Sequence, residues 1–346
     1  MCSNESVAMK YRKSLIIAEA GVNHNNDLSI ALELCDAAKT AGADVVKFQT
    51  WNTDRLITRS LRMADYQEAN TDAKMTQYEM LKRLELSYDG FRKVKEYCDR
   101  IGITFASTAD DPESLDFLID LGIPFVKIGS GDIGNISFLR YIGAKKLPVV
   151  LSTGMSSLAD VDASVSAIKK GGTDEITLLH CTTNYPCPYS EVNLNAMNTL
   201  RDAFHLPVGY SDHTVGTEVA VSAVAMGATI IEKHLTLNRN MEGPDHAAST
   251  EPEEFAHMVR QIRNIELALG NGIKQMTLSE KKIKSVVTKR IVAKRIIHIG
   301  ESFSDVNICV KRSDEGESAS MWDKVIGQKA TRDYAYDQGI VIWSEN

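Results

Sequence analysis

The chain has 346 residues, of which 43% are hydrophobic and 25% charged, and its formal net charge is -7. This composition is typical of a globular protein, and the length leaves room for a domain of roughly 250 residues and one small module. The negative charge argues against a nucleic-acid or anionic-membrane surface. No apolar stretch could span a bilayer, and residues 1–13 lack the apolar core of a signal peptide. We therefore expect a cytoplasmic protein that binds neither nucleic acid nor membrane.

The cysteines of the chain form no CxxC pair. They are Cys2, Cys35, Cys98, Cys181, Cys187 and Cys309. Scattered cysteines in a long chain without an export signal are typical of reduced thiols, most of which are packing residues. We therefore expect reduced thiols rather than a disulfide framework.

Eight short apolar runs recur along the chain, and each of them ends in polar residues. They are Leu15–Ala20, Asp44–Gln49, Ile103–Thr108, Phe125–Ser130, Pro148–Thr153, Ile176–Thr182, Pro207–Asp212 and Thr229–Thr236. Nearly continuous apolar runs, rather than strict alternation, are typical of strands that are buried on both faces of a parallel sheet.

Helix-patterned segments separate these runs. Leu28–Ala41 and Pro112–Leu121 carry apolar residues on one side, and Gly122 follows the second of them. Eight strand–helix repeats, with no GxGxxG after the first strand, favour a closed (β/α)8 TIM barrel over an open doubly wound sheet. The segment Trp51–Gln77 is polar and aperiodic, which predicts a functional lid or an inserted excursion.

The pattern changes after the last predicted helix, Glu253–Leu269. We assign residues 1–272 to the catalytic barrel, the lysine-rich residues 273–287 to a linker, and residues 288–346 to a small second domain. The predicted strand-like pieces of that domain are Ile291–Ala293, Ile308–Val310 and Ile340–Trp343. A domain of this size has little core of its own.

Polar side chains stand at the carboxyl ends of strands that are otherwise apolar. They are Glu19, Lys47, Gln49, Thr108, Lys127, Ser130, Ser152, His180, Thr182, Ser211, Asp212, His213, Glu232 and His234. In a barrel these ends converge on one mouth, and burying such groups is costly unless they bind one another or a ligand. The pattern as a whole therefore predicts an active site at this mouth, although any single residue could be structural.

Two of these residues, His213 and His234, lie at matching heights on neighbouring strands. Adjacent strands are ~4.8 Å apart, so both imidazoles could reach one metal ion. Two histidines alone are a weak metal signal. Further candidates for metal ligands are His24, His246, Glu19 and Asp245.

Two lysines and several hydroxyls suggest a binding site for an anion. The lysines are Lys47 and Lys127, and the hydroxyls belong to Thr108, Ser130, Ser152 and Ser211. The Gly129–Gly131 turn would present backbone N–H groups to a phosphate. Beside two strand-end lysines, this interpretation is preferred over a plain tight turn.

Sequence motifs along nearly the whole chain resemble the sialic acid synthases. They are IIAEAGVNHNND, VVKFQTW, VKIGSGD, LSTGM, LLHCTTNYP, GYSDHTVG, IIEKHLTL and GPDHAAS. The resemblance implies a transferase that condenses phosphoenolpyruvate with an N-acetylated mannose-type sugar, giving a nonulosonic acid such as N-acetylneuraminate and phosphate. From about Val286 the chain resembles the antifreeze-like SAF domain of the family, a β-clip-like fold.

The resemblance implies a role for each matching residue. His213 and His234 would hold Mn²⁺ or Mg²⁺, and Arg312 would reach the partner subunit's barrel in a domain-swapped homodimer and bind the sugar's N-acetyl group. The phosphoenolpyruvate site would consist of Lys47, Thr108, Lys127, Ser130, Ser152 and Ser211. The catalytic residues would be Glu19, Asp132 and Lys47, and the other sugar-binding residues Gln49, Tyr185 and Asp245. Asp132 stands where many bacterial members have a glutamate.

Several alternatives remain open from the sequence. Within the family they are a legionaminic acid synthase, which takes a 2,4-diacetamido-2,4,6-trideoxymannose, and a synthase that uses N-acetylmannosamine 6-phosphate. Outside it, a metal-dependent aldolase or sugar-phosphate isomerase could use the same barrel. A non-enzymatic sugar-binding or ice-binding-like protein is the third class, and the lysines, histidines and carboxylates of the predicted mouth argue against it.

Overall fold

The computed structural model describes residues 13–63 and 75–343. The chain divides into two compact units, Met1–Asn271 and Gly272–Asn346. Across the described ranges, no helix combines the length and the apolar character needed to cross a membrane.

The first unit is a closed barrel of eight parallel strands. They are β1 (Leu15–Gly21), β2 (Val45–Thr50), β3 (Thr104–Ala109), β4 (Val126–Ile128), β5 (Val149–Ser152), β6 (Ile176–His180), β7 (Val208–Asp212) and β8 (Ile230–His234). Each strand pairs with the next in chain order, and β8 pairs with β1. The predicted TIM barrel is confirmed. Strand β4 is shorter than expected because Ser130–Asp132 forms a 3-10 turn.

Helices follow the strands of the first unit. They are α1 (Leu28–Ala41), α2 (Thr53–Leu56), α3 (Gln77–Leu84), α4 (Tyr88–Ile101), α5 (Pro112–Asp120), α6 (Ile136–Ala144), α7 (Leu158–Gly171), α8 (Tyr189–Val192), α9 (Ala196–Phe204), α10 (Glu218–Ala225) and α11 (Pro252–Leu269). Local sequence explains their ends. Asp27 caps α1, whose C-cap Gly42 has a left-handed φ of 86°, and Asp111 caps α5 ahead of Pro112.

The interior of the barrel changes from apolar to polar along the strands. One inner layer is apolar: Ile17, Val45, Ala106, Phe125, Val150, Leu179 and Ile230. Side chains of a strand alternate between its faces, so the same face returns two residues later. On six of these strands that next position is polar and buried: Glu19, Lys47, Thr108, Lys127, Ser152 and Glu232. The apolar layer therefore lies directly below the polar side chains at the mouth of the barrel.

The segment predicted as a lid or insertion begins with the short helix α2 and reaches α3. Residues 64–74 of this segment lie outside the described residues. Trp51 and Met80 belong to a small apolar cluster with Val22, Met63 and Leu84. The described ends of the segment are therefore packed against apolar neighbours.

The second unit contains the helix α12 (Leu278–Val287), the antiparallel strands β9 (Lys289–Ala293) and β10 (Ile308–Arg312), and the short helix α13 (Trp322–Val325). The segment predicted as a linker thus includes a helix, which Thr277 and Glu280 cap reciprocally. None of the residues of this helix is buried. The sequence analysis relied on apolar faces that pack against a core, and this helix has no such face. The prediction of a strand-like piece at Ile340–Trp343 is wrong, because no strand forms there. The amide of Ile340 nevertheless donates to the carbonyl oxygen of Ile291.

Gly143 lets α6 and α7 approach closely. A Cβ atom at this position would lie 2.1 Å from the carbonyl oxygen of Ile168 and 3.0 Å from the Cα atom of Gly171. We expect Gly143→Ala to lower the free energy of unfolding by about 2 kcal/mol through overpacking, as measured by denaturant titration. Gly131→Ala, which meets nothing within 4 Å, is the control, and an equal effect of both variants would contradict the interpretation.

Candidate active site

Lys47 lies in the centre of a buried charge cluster at the mouth of the barrel. Its Nζ atom is 2.6 Å from Glu19 Oε2 and 3.6 Å from Glu232 Oε2, and it donates to Thr108 Oγ1 at 3.0 Å. Strands β1, β2, β3 and β8 supply these four residues. The closed barrel thus joins groups that are distant in the sequence.

Glu232 links Lys47 to the second predicted lysine. Its Oε1 atom lies 3.5 Å from Lys127 Nζ and accepts a hydrogen bond from Ser211 Oγ at 2.9 Å. Lys127 also donates to Ser152 Oγ at 2.8 Å. One carboxylate therefore lies between two ammonium groups, and both lysines carry hydroxyl neighbours.

The two carboxylates of this cluster have opposite protonation behaviour. Burial alone would raise the pKa of Glu232, but the adjacent Lys127 and Lys47 outweigh it and lower the pKa from 4.5 to about 2. Burial raises the pKa of Glu19 from 4.5 to about 7, against the opposing effect of Lys47. Glu232 is thus a fixed anion, whereas Glu19 can exchange a proton near neutral pH.

His213 and His234 lie side by side, with ring centroids 5.5 Å apart. The Nδ1 atom of His213 is hydrogen-bonded to the carbonyl oxygen of Thr182 at 2.7 Å. A carbonyl can only accept, so Nδ1 carries the proton and Nε2 keeps its lone pair. Burial lowers the pKa of both histidines. Both imidazoles are therefore neutral, which is the form that binds a metal ion.

These two residues fit a divalent cation with two protein ligands. The buried Nδ1 atom of His234 has no hydrogen-bond partner within the described chain, and it lies 4.0 Å from Asp245 Oδ2. No group of three or more His, Cys, Asp or Glu side chains suited to a metal occurs among the described residues. The remaining coordination positions would belong to substrate oxygens and water, as is usual for Mg²⁺ sites.

The Gly129–Gly131 turn lies beside the end of β5. Ser130 Oγ accepts from the amide of Gly154 at 3.0 Å and lies 3.2 Å from Cys181 Sγ. A Cβ atom on Gly154 would come within 2.2 Å of Thr183 Oγ1 and 2.8 Å of Ser130 Oγ. Gly154 is therefore required for this close approach, a role that the sequence analysis did not assign.

Further acidic groups surround the mouth. Asp132 accepts from Asn135 Nδ2 at 3.0 Å, and burial raises its pKa. Burial, followed by the charge of Asp132, raises the pKa of Asp110 to about 8. Burial also raises the pKa of Asp245 to about 6. Several carboxyl groups at this mouth can therefore carry a proton near neutral pH.

The residues predicted to bind the sugar lie in two places. Gln49 Nε2 donates to Glu19 Oε1 at 3.2 Å. The ring of Tyr185 lies 4.3 Å from that of His213 and edge-on to that of His234 at 5.6 Å. Arg312 belongs to the second unit, where it is an exposed residue of β10.

The other candidate metal ligands have structural surroundings. His24 is fully buried beside the rings of Phe48 and Phe91, and its Nδ1 atom accepts from the amide of Asn26. His246 Nδ1 is 2.6 Å from Thr236 Oγ1. The sequence alone did not separate these histidines from the pair at the mouth, because all four lie near strand ends or in adjoining loops.

A cavity of about 790 Å³ borders the turn on the β5 and β6 side. Its lining includes Thr153, Cys181, Thr182 and Thr183. Cys181 Sγ lies 3.2 Å from Ser130 Oγ, and the carbonyl oxygen of Thr182 accepts from His213 Nδ1. The cavity therefore adjoins residues of the candidate active site.

Glu232→Gln is expected to lower the free energy of unfolding at pH 7 by about 3 kcal/mol, because two buried ammonium groups lose their shared carboxylate. Since the folded pKa is about 2 and the ordinary value 4.5, the ionised form stabilises the fold above pH 4.5. The difference in the free energy of unfolding between wild type and Glu232→Gln should therefore shrink as the pH falls from 4.5 to 2. Denaturant titrations across this pH range measure that difference. Exposed Glu33 supplies the control Glu33→Gln, and a pH-independent difference would contradict the assignment.

Comparison with known proteins gives concordant matches. The NeuB family model matches residues 34–274. N,N'-diacetyllegionaminic acid synthase of Campylobacter jejuni is 44% identical over 329 residues, which are 94% of this chain and 98% of that protein. The protein of the same name from Legionella pneumophila is 45% identical over 318 residues, or 91% and 89% of the two chains.

A solved structure agrees with these matches. N-acetylneuraminic acid (sialic acid) synthetase from Leptospira borgpetersenii, in complex with citrate, superimposes with a TM-score of 0.69 at 36% identity. The match covers 79% of this chain and 90% of that one. The resemblance seen in the sequence motifs is thereby confirmed, and the chain belongs to the NeuB family.

Proposed function

We propose that the protein condenses phosphoenolpyruvate with an N-acetylated mannose-type sugar, giving a nonulosonic acid and inorganic phosphate. The observation that carries the proposal is the pair of buried lysines beside the imidazole pair. Lys47 and Lys127 offer two cations to a substrate with a carboxylate and a phosphate, and His213 and His234 lie at the same mouth. The names of the relatives support this chemistry.

The lysines and hydroxyls would hold phosphoenolpyruvate. Lys47 with Thr108, and Lys127 with Ser152, form two donor pairs on opposite sides of Glu232. Ser130 and Ser211 would add donors, and the amides of the Gly129–Gly131 turn would face the phosphate. Glu232 holds both ammonium groups in place, and phosphoenolpyruvate would displace Glu19 from Lys47 when it binds.

His213 and His234 would hold Mn²⁺ or Mg²⁺, and the bound ion would polarise the sugar aldehyde as a Lewis acid. Asp245 and Tyr185 lie against the imidazole pair, where they would position the sugar. Gln49, hydrogen-bonded to Glu19, would bind it from the β2 side. These contacts would place the aldehyde carbon within reach of the phosphoenolpyruvate methylene.

The reaction forms a bond between C3 of phosphoenolpyruvate and the aldehyde carbon. Water then adds to C2, and the bond from C2 to the phosphate oxygen breaks. Glu19, with its pKa of about 7, would orient that water, and in its protonated form it would donate to the departing phosphate. Asp132, whose pKa burial also raises, would take the proton from the water.

The names of two relatives support a choice among the candidate sugars. The two bacterial relatives at 44% and 45% identity are named as N,N'-diacetyllegionaminic acid synthases. They favour 2,4-diacetamido-2,4,6-trideoxymannose as the preferred substrate and N-acetylmannosamine as the second candidate. The 6-phosphate sugar ranks third, since a trideoxy sugar has no oxygen at C6 to carry phosphate.

We further propose that the protein acts as a domain-swapped homodimer in the cytoplasm. Apolar side chains of the segment joining the barrel to the second unit are open to solvent, among them Ile273, Leu278 and Val286, which supports a partner copy. Arg312 is exposed on β10 and would reach the partner's barrel. The cysteines that the structure describes are free thiols, as a reducing compartment requires.

A substrate panel tests the proposed function. The three sugars are each mixed with phosphoenolpyruvate and Mn²⁺, and phosphate release is measured together with the mass of the product. We expect the 2,4-diacetamido sugar to give the highest kcat/KM and no phosphate release without a sugar. Turnover without phosphoenolpyruvate would identify an aldolase or isomerase and contradict the proposal, and a preference for the 6-phosphate would move it to the third substrate.

Complementation between inactive variants tests the partner contribution. Arg312→Ala and His234→Ala should each be nearly inactive, because one lacks the arginine and the other a metal ligand. Mixed, unfolded and refolded at equal amounts, they should recover up to about a quarter of wild-type activity, since half of the dimers would carry one complete site. Arg332→Ala, in the same unit, is the control with full activity. No recovery in the mixture would refute the swapped arrangement.

A further inference from the structure

Asp212 and Lys233 form an ion pair on the outer face of the barrel wall. The two atoms Nζ and Oδ2 are 2.7 Å apart, and the side chains are 0% and 2% exposed. The strand register pairs these residues directly, while their neighbours Ser211 and Glu232 meet on the inner face. Because successive side chains alternate between faces, the ion pair lies directly behind the candidate site.

The pair also fixes the turn that follows β7. Asp212 Oδ1 accepts from the amide of Thr214 at 3.0 Å and from its Oγ1 at 2.8 Å. Lys233 Nζ donates to the carbonyl oxygen of Thr214 at 2.7 Å. The ion pair therefore clamps residues 212–214 from both ends, and His213 is the residue in the middle.

The two imidazoles depend on this clamp to different degrees. His213 has further anchors, because its Nδ1 atom is bonded to the carbonyl of Thr182 and its own carbonyl accepts from the amide of Cys187 at 2.8 Å. His234 follows Lys233 directly, and its Nδ1 atom has no hydrogen-bond partner in the described part of the chain. The position of His234 therefore rests on its backbone and its packing.

A buried ion pair is a poor device for stability alone. Removing two charges from water is costly, and an apolar pair of similar volume is often equally stable. It is a good device for geometry, since Asp212 and Lys233 join adjacent strands at one register position. The residues that it joins immediately precede His213 and His234.

We propose that the Asp212–Lys233 ion pair is a positioning device that sets the relative placement of His213 and His234, and thereby the affinity of the site for a divalent cation. The inference rests on the proposed function, in which these histidines hold the ion. It adds residues on the opposite face of the wall, which touch neither substrate nor ion. Groups that hydrogen-bond to metal ligands typically contribute 10- to 100-fold to metal affinity, and a clamp on the residues beside the ligands is expected to act within this range.

Titration of the metal-free full-length chain with MnCl₂ tests the proposal by calorimetry, independently of activity. The variant Asp212→Asn/Lys233→Met leaves no charge unpaired, and its asparagine can still accept from Thr214. We expect its Kd for Mn²⁺ to rise 10- to 100-fold, while circular dichroism shows a cooperative thermal transition. Thr214→Val, which removes one bond of the clamp, is the milder second variant, and its Kd should rise about 3-fold or more.

Asp44→Asn is the matched control, because Asp44 pairs with Arg263 at 2.7 Å at the opposite end of the barrel. It should lower the Tm but leave the Kd for Mn²⁺ within twofold. A folded double variant whose Kd for Mn²⁺ equals that of the wild type overturns the inference. If the double variant does not fold, a wild-type Kd in Thr214→Val overturns it instead. His234→Ala distinguishes failure of the inference from failure of the proposed metal site. If wild type binds Mn²⁺ and His234→Ala does not, the histidines are the metal ligands, regardless of the result for the ion pair. Failure of wild type to bind Mn²⁺ overturns both.

Discussion

The mouth of this barrel depends on Glu232, a carboxylate held between Lys47 and Lys127. Two buried ammonium groups repel each other and lose hydration, and a counter-ion that they share lowers both costs. Glu232 is that counter-ion and remains ionised, with a pKa of about 2. In the proposed reaction, the same arrangement would present two cations to the anionic substrate.

The remaining acids of the mouth have raised pKa values because burial dominates. For Glu19 and Asp110, burial outweighs the opposing charge of Lys47. The pKa of Glu19 is about 7, that of Asp110 about 8 and that of Asp245 about 6. The mouth therefore combines fixed charges, which bind, with exchangeable protons, which a condensation with water addition requires. The apolar layer below supplies the burial on which both depend.

Much of this architecture could be predicted from the sequence. Apolar runs ending in polar residues predict a parallel barrel, because the two-residue period of each strand places residues such as Ile17 and Glu19 on the same inner face. The partners within the mouth could not be predicted. Glu232 is recognisable as polar at a strand end, but its contact with both lysines arises only when β8 closes beside β1.

Other features were missed for equally physical reasons. The helix α12 has no buried residue, so no core-facing stripe reveals it. In the sequence, His24 and His213 are both candidate metal ligands. In the structure, the aromatic neighbours Phe48 and Phe91 show that His24 is a packing residue. The need for glycine at position 154 depends on Thr183 and Ser130, which approach from the segments that follow β6 and β4. Local pattern predicts elements and faces, whereas these features depend on contacts across the barrel.

In the proposed reaction, phosphoenolpyruvate would take Lys47 from Glu19 at this mouth. Glu19 would then lose its counter-ion next to an anion, so its pKa would rise above 7 and it would bind a proton. Calorimetry of phosphoenolpyruvate binding at pH 8, in buffers with different ionisation enthalpies, measures this uptake. We predict uptake of up to about one proton by the wild type and a clearly smaller uptake by Glu19→Gln. Binding heats that do not depend on the buffer in the wild type would contradict the claim.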